Sequence, residues 1–191
     1  CSRDSIRIHN FIEKNLRLYK GSTGNEHSPQ LNCGRFNLAL NRPLVMGILN
    51  LTPDSFSDGG RFNKINDAIS CASSMVDNGV DIIDIGAEST RPGSEEVDAE
   101  TEWDRIKKIL PYLHKLKVPI SIDSRKPLVM NRALSNGIDM INDVSGFQLE
   151  ETLKIVESCK NDNIGFCIMH MQGTPNNMQE SPRYGDVVAE V

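Results

Sequence analysis

The sequence has no Cys-x-x-Cys pair. Its five cysteines stand far apart, at positions 1, 33, 71, 159 and 167. An odd count without close spacing argues against both a disulfide framework and a zinc site. Four of the five lie in or beside apolar or helical patterns and read as small buried thiols in a reducing compartment. Long hydrophobic runs are missing too: nothing approaches the roughly 18 apolar residues of a membrane span, and no secretory h-region is visible. Positive charge is in deficit, with 21 Lys and Arg against 26 Asp and Glu and a net charge of −5. Binding to nucleic acid or to a membrane surface therefore gets no electrostatic support, and an anionic substrate would need local positive charge. No G-x-G-x-x-G follows the first apolar run, so the dinucleotide fingerprint is absent.

What is present suits one globular domain. The chain has 191 residues, 38% hydrophobic and 25% charged, enough to bury a real core. Residues 1–31 read as an N-terminal extension and linker. Ile8, Phe11, Ile12 and Leu16 share a helical face, and GSTGNEHSPQ (21–30) has linker composition. That first segment fits either the tail of a preceding domain or a docking helix. NCGRFNLALNRP (32–43) alternates Phe36, Leu38 and Leu40 around Gly34 and predicts a short β-hairpin.

From residue 44 strands and helices alternate. Apolar runs at 44–50, 80–86, 118–123, 138–143 and 164–170 predict strands. Amphipathic patterns at 65–79, 99–110, 126–137 and 151–162 predict helices, and another begins near Tyr184. Gly79 stops the first helix, Pro111 kinks or ends the second, and Pro127 sits in an early turn of the third. Short, continuous apolar strands are those of a parallel sheet covered on both faces. Five βα units fit either a doubly wound sheet or a (β/α)8 barrel. The barrel is favoured because polar residues stand at the end of every strand: Asn50; Glu88, Ser89 and Thr90; Asp123 and Ser124; Asn142 and Asp143; His170 and Gln172. A barrel gathers all its strand ends at one mouth. NLTPDSFSDGG (50–60) then forms the first loop of that mouth. It exceeds the usual 2–6 residues of such connections, and its hydroxyls, carboxylates and paired glycines suit a lid or reactive loop.

The strings MGILNLTPDSFSDGG (46–60), DIIDIGAESTRPG (81–93), SIDS (121–124), INDVSG (141–146) and IMHMQGTP (168–175) resemble, in order and spacing, the dihydropteroate synthases of the pterin-binding (β/α)8 family. The resemblance covers residues 32–191, a partial barrel of about five βα units behind the hairpin. It implies folate biosynthesis: a transferase that condenses 6-hydroxymethyl-7,8-dihydropterin pyrophosphate with p-aminobenzoate to give 7,8-dihydropteroate and pyrophosphate, with magnesium as cofactor, and that is a target of sulfonamides. It further implies small-molecule substrates only, cytoplasmic or organellar location, a homodimer through late helices, and a pterin pyrophosphokinase domain fused upstream in some members.

The resemblance also assigns roles. Asn50 reaches the magnesium and pyrophosphate; an amide oxygen is a hard ligand that suits magnesium. Asp123 and Asn142 bind the pterin edge, where a carboxylate accepts and a carboxamide both gives and takes; the competing reading is capping of the following helix, which is preferred for Ser124 and Asp143. Met169 walls the pterin pocket or simply packs the barrel. Thr90 contacts substrate, and Arg91 meets the pyrophosphate or the first loop. Ser55, Phe56 and Asp58 close over p-aminobenzoate. Phe56 walls its ring or packs under its own loop, and Asp58 pairs with Arg91. Asp58 and Arg91 are the catalytic candidates. His170, a lone histidine at a strand end, reads as structural.

A complete barrel takes about 250 residues. The family's later pterin-binding Asp, its Lys-bearing loop and its Arg-x-His element have no counterpart in these residues. The expectation is that the 191 residues are part of a larger polypeptide and inactive alone. Two other readings share the pattern: a methyltetrahydrofolate-binding methyltransferase domain, and a non-catalytic module of the same fold.

Overall fold

A computed structural model describes residues 29–52, 61–88, 96–160, 162–173 and 177–191, with side chains from residue 65 in the helix that opens at Arg61. The sequence-predicted segment 1–20 and loop residues Ser55, Phe56, Asp58, Thr90 and Arg91 lie outside these residues.

The chain opens with a hairpin, β1 (Gln30–Cys33) and β2 (Phe36–Ala39), in antiparallel register with Cys33 opposite Phe36. Its turn falls at Gly34, and it begins two residues before the stretch that alternation picks out. Five strands follow: β3 (Met46–Asn50), β4 (Ile82–Gly86), β5 (Ile120–Asp123), β6 (Met140–Asp143) and β7 (Gly165–Ile168). They form one parallel sheet in strict chain order, β3-β4-β5-β6-β7. This order separates the two architectures left by the βα pattern. A doubly wound sheet reverses direction at a switch point, whereas here each strand lies beside its predecessor, as in a run of consecutive units of a (β/α)8 barrel.

Helices α1 (Arg61–Asp77), α2 (Ala99–Ile106), α3 (Leu110–Leu113), α4 (Pro127–Ser135), α5 (Glu150–Ser158) and α6 (Val187–Glu190) accompany the strands. The first begins at Arg61, four residues before its apolar stripe at Ile65, and closes at Gly79, whose φ of 90° only glycine adopts without cost. The single helix expected over 99–110 is two. The break precedes Pro111, which occupies the first turn of α3 rather than ending α2.

Strand parity divides the sheet into two chemical faces. Leu49, Ile83, Ile85, Ile120, Ile122 and Ile141 point toward the helices and pack with Trp103, Ile106, Leu113, Val129 and Met130. Met46, Ile82 and Met140 point the other way, into the concave interior. At its base they are covered by Leu31, Cys33 and Leu38 of the hairpin. Asp139 pins that plug: it accepts from Arg35 Nε at 2.9 Å, from Arg35 Nη2 at 2.8 Å and from Ile120 N at 3.0 Å. Burial alone would raise its pKa, but these bonds and the guanidinium charge hold the carboxyl below its ordinary value. Apolar side chains thus seal the base of the interior, and its polar groups gather at the strand C-termini.

Candidate functional site

Register lines up the ends of the strands. Asn50 pairs with Gly86, Gly86 with Asp123, Asp123 with Asn142, and Asn142 with Cys167. All five share the interior parity, at about 5 Å per strand step. Three of the four sequence-predicted site residues that the structure describes, Asn50, Asp123 and Asn142, therefore stand in one row at the mouth. The fourth, Met169, follows β7 and is half-buried, and its N–H contacts Asp143 O at 3.4 Å. Gly86 gives the row its clearance. A Cβ built there would lie 3.4 Å from Asn50 Oδ1 and 3.6 Å from Asp123 Oδ2. The two oxygens thus face a common gap that any larger residue would fill.

Two residues deeper, Asp84 pairs with Ser121, again on the interior parity. Asp84 Oδ2 accepts from Asn142 Nδ2 at 3.0 Å. Burial pushes the Asp84 carboxyl above its ordinary pKa, opposed by the nearby Ser121 hydroxyl and the Asn142 carboxamide. Asp123 is pushed up to about 7, first by burial and then by the charges of Asp84, Glu102, Asp143 and Glu88. Burial, followed by Asp84 and Asp123, likewise raises the Cys167 thiol. The described mouth is acceptor-rich. It suits a ligand edge carrying N–H donors, which would stabilise the Asp123 anion.

Asp143 and Ser124 have other duties. Asp143 points to the helix side and is buried. It accepts from Ser145 N at 2.8 Å, Ser145 Oγ at 2.7 Å and Phe147 N at 2.8 Å. It therefore ties the turn after β6 rather than capping a helix, since α5 starts only at Glu150. Ser124 Oγ accepts from Lys126 N at 3.2 Å, just ahead of α4.

A buried ion network beside the row was not foreseen. Lys126 Nζ lies 2.8 Å from Glu88 Oε2 and 2.7 Å from Glu102 Oε2. Glu88 also accepts from Val97 N at 3.0 Å and lies 3.7 Å from Arg125. Burial would raise the Glu88 pKa, but Lys126, Val97 and Arg125 bring it below the ordinary value. Of its members the sequence analysis noted only Glu88, as a polar residue at a strand end. Both cations of this network are engaged by carboxylates, so they offer little to a diphosphate. His170 stands aside, with Nε2 3.0 Å from Tyr184 Oη.

Residues 46–191 match the family of pterin binding enzymes. The chain belongs to that family. It is 46% identical over 160 residues to the dihydropteroate synthase of Neisseria meningitidis serogroup C, an alignment covering 83% of this chain and 56% of that protein. It superposes on the Burkholderia cenocepacia dihydropteroate synthase complexed with 7,8-dihydropteroate with a TM-score of 0.70 at 43% identity, over 85% of this chain and 54% of that one. For the Yersinia pestis dihydropteroate synthase with a sulfonamide drug complex the TM-score is 0.72 at 40% identity, over 85% and 58%. The chain thus spans a little over half the length of these pterin-binding relatives. Among the described residues no group of three His, Cys, Asp or Glu side chains is placed to hold a metal ion, and no helix is long and apolar enough to cross a membrane.

Proposed function

We propose that this chain forms the pterin-binding part of a dihydropteroate synthase, condensing 6-hydroxymethyl-7,8-dihydropterin pyrophosphate with p-aminobenzoate in folate biosynthesis. The observation that carries the reading is the row Asn50–Gly86–Asp123–Asn142 in a chain 46% identical to a synthase. Asp123, half-buried and acceptor-only once ionised, takes the N–H donors of the pterin edge. Asn142 presents its carboxamide beside it, and Met169 lines the wall. Gly86 leaves room for the ring.

In the reaction the C–O bond between the pterin methylene and the pyrophosphate breaks, and the oxygen keeps the electron pair. The amine of p-aminobenzoate forms the new C–N bond and gives up a proton to solvent. The electron-rich reduced ring stabilises positive charge on the methylene, so the protein's work is electrostatic and positional and needs no side-chain nucleophile. Thr90 contacts the substrate, and Arg91 meets the departing pyrophosphate or the first loop. Ser55, Phe56 and Asp58 close over the amine substrate and keep water out.

Asn50 fits magnesium: its amide oxygen faces the gap over Gly86, and magnesium asks for only one or two protein oxygens besides water and phosphate. When bound, the ion neutralises charge on the departing pyrophosphate. The same reading carries with it competition by sulfonamides for the p-aminobenzoate position, a homodimer, a fused upstream pyrophosphokinase domain, and a cytoplasmic or organellar setting.

The test is titration calorimetry on the natural full-length polypeptide. Asp123→Asn should weaken binding of a pterin analogue about 100-fold, roughly the worth of one lost charged hydrogen bond, and change capture of p-aminobenzoate far less. Unchanged affinity for the pterin analogue would remove Asp123 from the site.

A further inference from the structure

Asp84 lies mid-strand in VDIIDIG, a run otherwise suited to a buried sheet. Its side chain is only 3% exposed. A carboxylate in such a place is costly unless it is held. One oxygen is held: Oδ2 accepts from Asn142 Nδ2 at 3.0 Å, reaching across β5 to the next strand but one. The other, Oδ1, has no hydrogen-bond partner among the described residues, nor has Ser121 Oγ on the adjacent strand. The Ser121 hydroxyl is near enough to favour the anion without completing a well-formed bond. Asp84 is thus not satisfied by the core around it, and its one good bond runs to a residue of the mouth.

That bond has a directional consequence. A carboxamide has nearly the same shape either way round, and nothing steric tells its oxygen from its nitrogen. An ionised carboxylate only accepts. Facing Asp84, Asn142 must turn its NH2 end down, and its Oδ1 is left for the mouth. We propose that Asp84 is a positioning residue for pterin recognition, fixing through Asn142 Nδ2 which end of the Asn142 carboxamide meets the ligand. This rests on the pterin-binding reading above. Asp84, buried beneath the row, reaches the ligand through the hydrogen bond to Asn142, while its charge separately opposes ionisation of Asp123.

The test is a double-mutant cycle in the natural full-length polypeptide, with a pterin analogue as titrant and steady-state kinetics beside it. Asp84→Asn keeps the shape but can donate as well as accept, so it no longer dictates the orientation of Asn142. Affinity for the analogue should fall about tenfold and KM for the pterin substrate should rise, with KM for p-aminobenzoate unchanged. In an Asn142→Ala background the same substitution should no longer weaken binding, since what is left is the relief of the Asp84 charge on Asp123, which favours the acceptor anion. An equal loss in both backgrounds, or none in the wild-type background, overturns the inference. A wild type that binds no pterin analogue overturns the reading of the site itself and this inference with it. Should Asp84→Asn not fold, the wild-type 15N spectrum decides. The Asn142 side-chain amide, assigned by its absence in Asn142→Ala, should show one proton protected from exchange. Exchange of both at the rate of an exposed Asn overturns the inference.

Discussion

Asn142 and Asp143 are neighbours in sequence with opposite fates, and strand parity alone separates them. Asn142 faces the interior and Asp143 the helices, where it organises the turn to Phe147. The same parity puts Asp123 in the mouth, with a carboxyl at about 7 because burial and the charges of Asp84, Glu102, Asp143 and Glu88 oppose its ionisation. In the unfolded chain an Asp releases its proton near pH 4. Between there and about pH 7 the folded state holds a proton that the unfolded state has lost, so stability contributed by this group falls as pH rises through that window. Asp123→Asn should remove this dependence. Melting curves from pH 5 to pH 8 should show the variant gaining on the wild type as pH rises; parallel curves would contradict the shift. A donor-bearing ligand reverses the preference by stabilising the anion, so its binding should release a proton near neutrality.

At the scale of the element, apolar runs reported all five strands and the hairpin. They overran the paired residues by one or two at most ends, as at Val45, whose N–H goes to Asp81 Oδ2 instead of a sheet partner. The break between α2 and α3 was hidden because proline in a first turn and proline at a helix end look alike in sequence. The row of Asn50, Asp123 and Asn142 was legible because each closes a strand. The Glu88–Lys126–Glu102 network was not, because it joins the end of β4, the helix α2 and the approach to α4 through pairings that no periodicity encodes. It ties Glu88, two residues past β4, to α2 and to the residue ahead of α4, and Glu102 is wholly buried with one oxygen unpartnered among the described residues. Lys126→Met should leave both carboxylates without their ammonium and cost about 3–5 kcal/mol in chemical denaturation. Adding Glu88→Gln and Glu102→Gln to it should recover much of that loss. A Lys126→Met variant as stable as the wild type would mean the clamp contributes nothing net.

For the whole molecule, sheet order decides what the described residues can do by themselves. β3 and β7 are the two edges of the sheet and do not pair with each other. On the interior parity of β3, Ile48 is 61% exposed, and Val45 just before the strand is 53% exposed. On the far edge Ile168 is 38% exposed. A parallel sheet has both faces and both edges covered when its barrel is closed. Left open, it offers unpaired backbone and apolar side chains to any other chain. The mouth is equally one-sided. Its described groups accept hydrogen bonds, and among the described residues the cations Lys126 and Arg125 beside it are already engaged by Glu88, Glu102 and Glu96, so the described residues offer a diphosphate little counter-charge there. The 191 residues produced alone should therefore self-associate through the sheet edges and show no synthase turnover, read by light scattering after gel filtration and by release of pyrophosphate. A pterin analogue should still bind weakly, because Asp123, Asn142 and the Asp84 beneath them belong to this sheet. A monomeric and catalytically competent 191-residue protein would show that five strands suffice, and that the phosphate-binding charge comes from Arg91 and its loop alone.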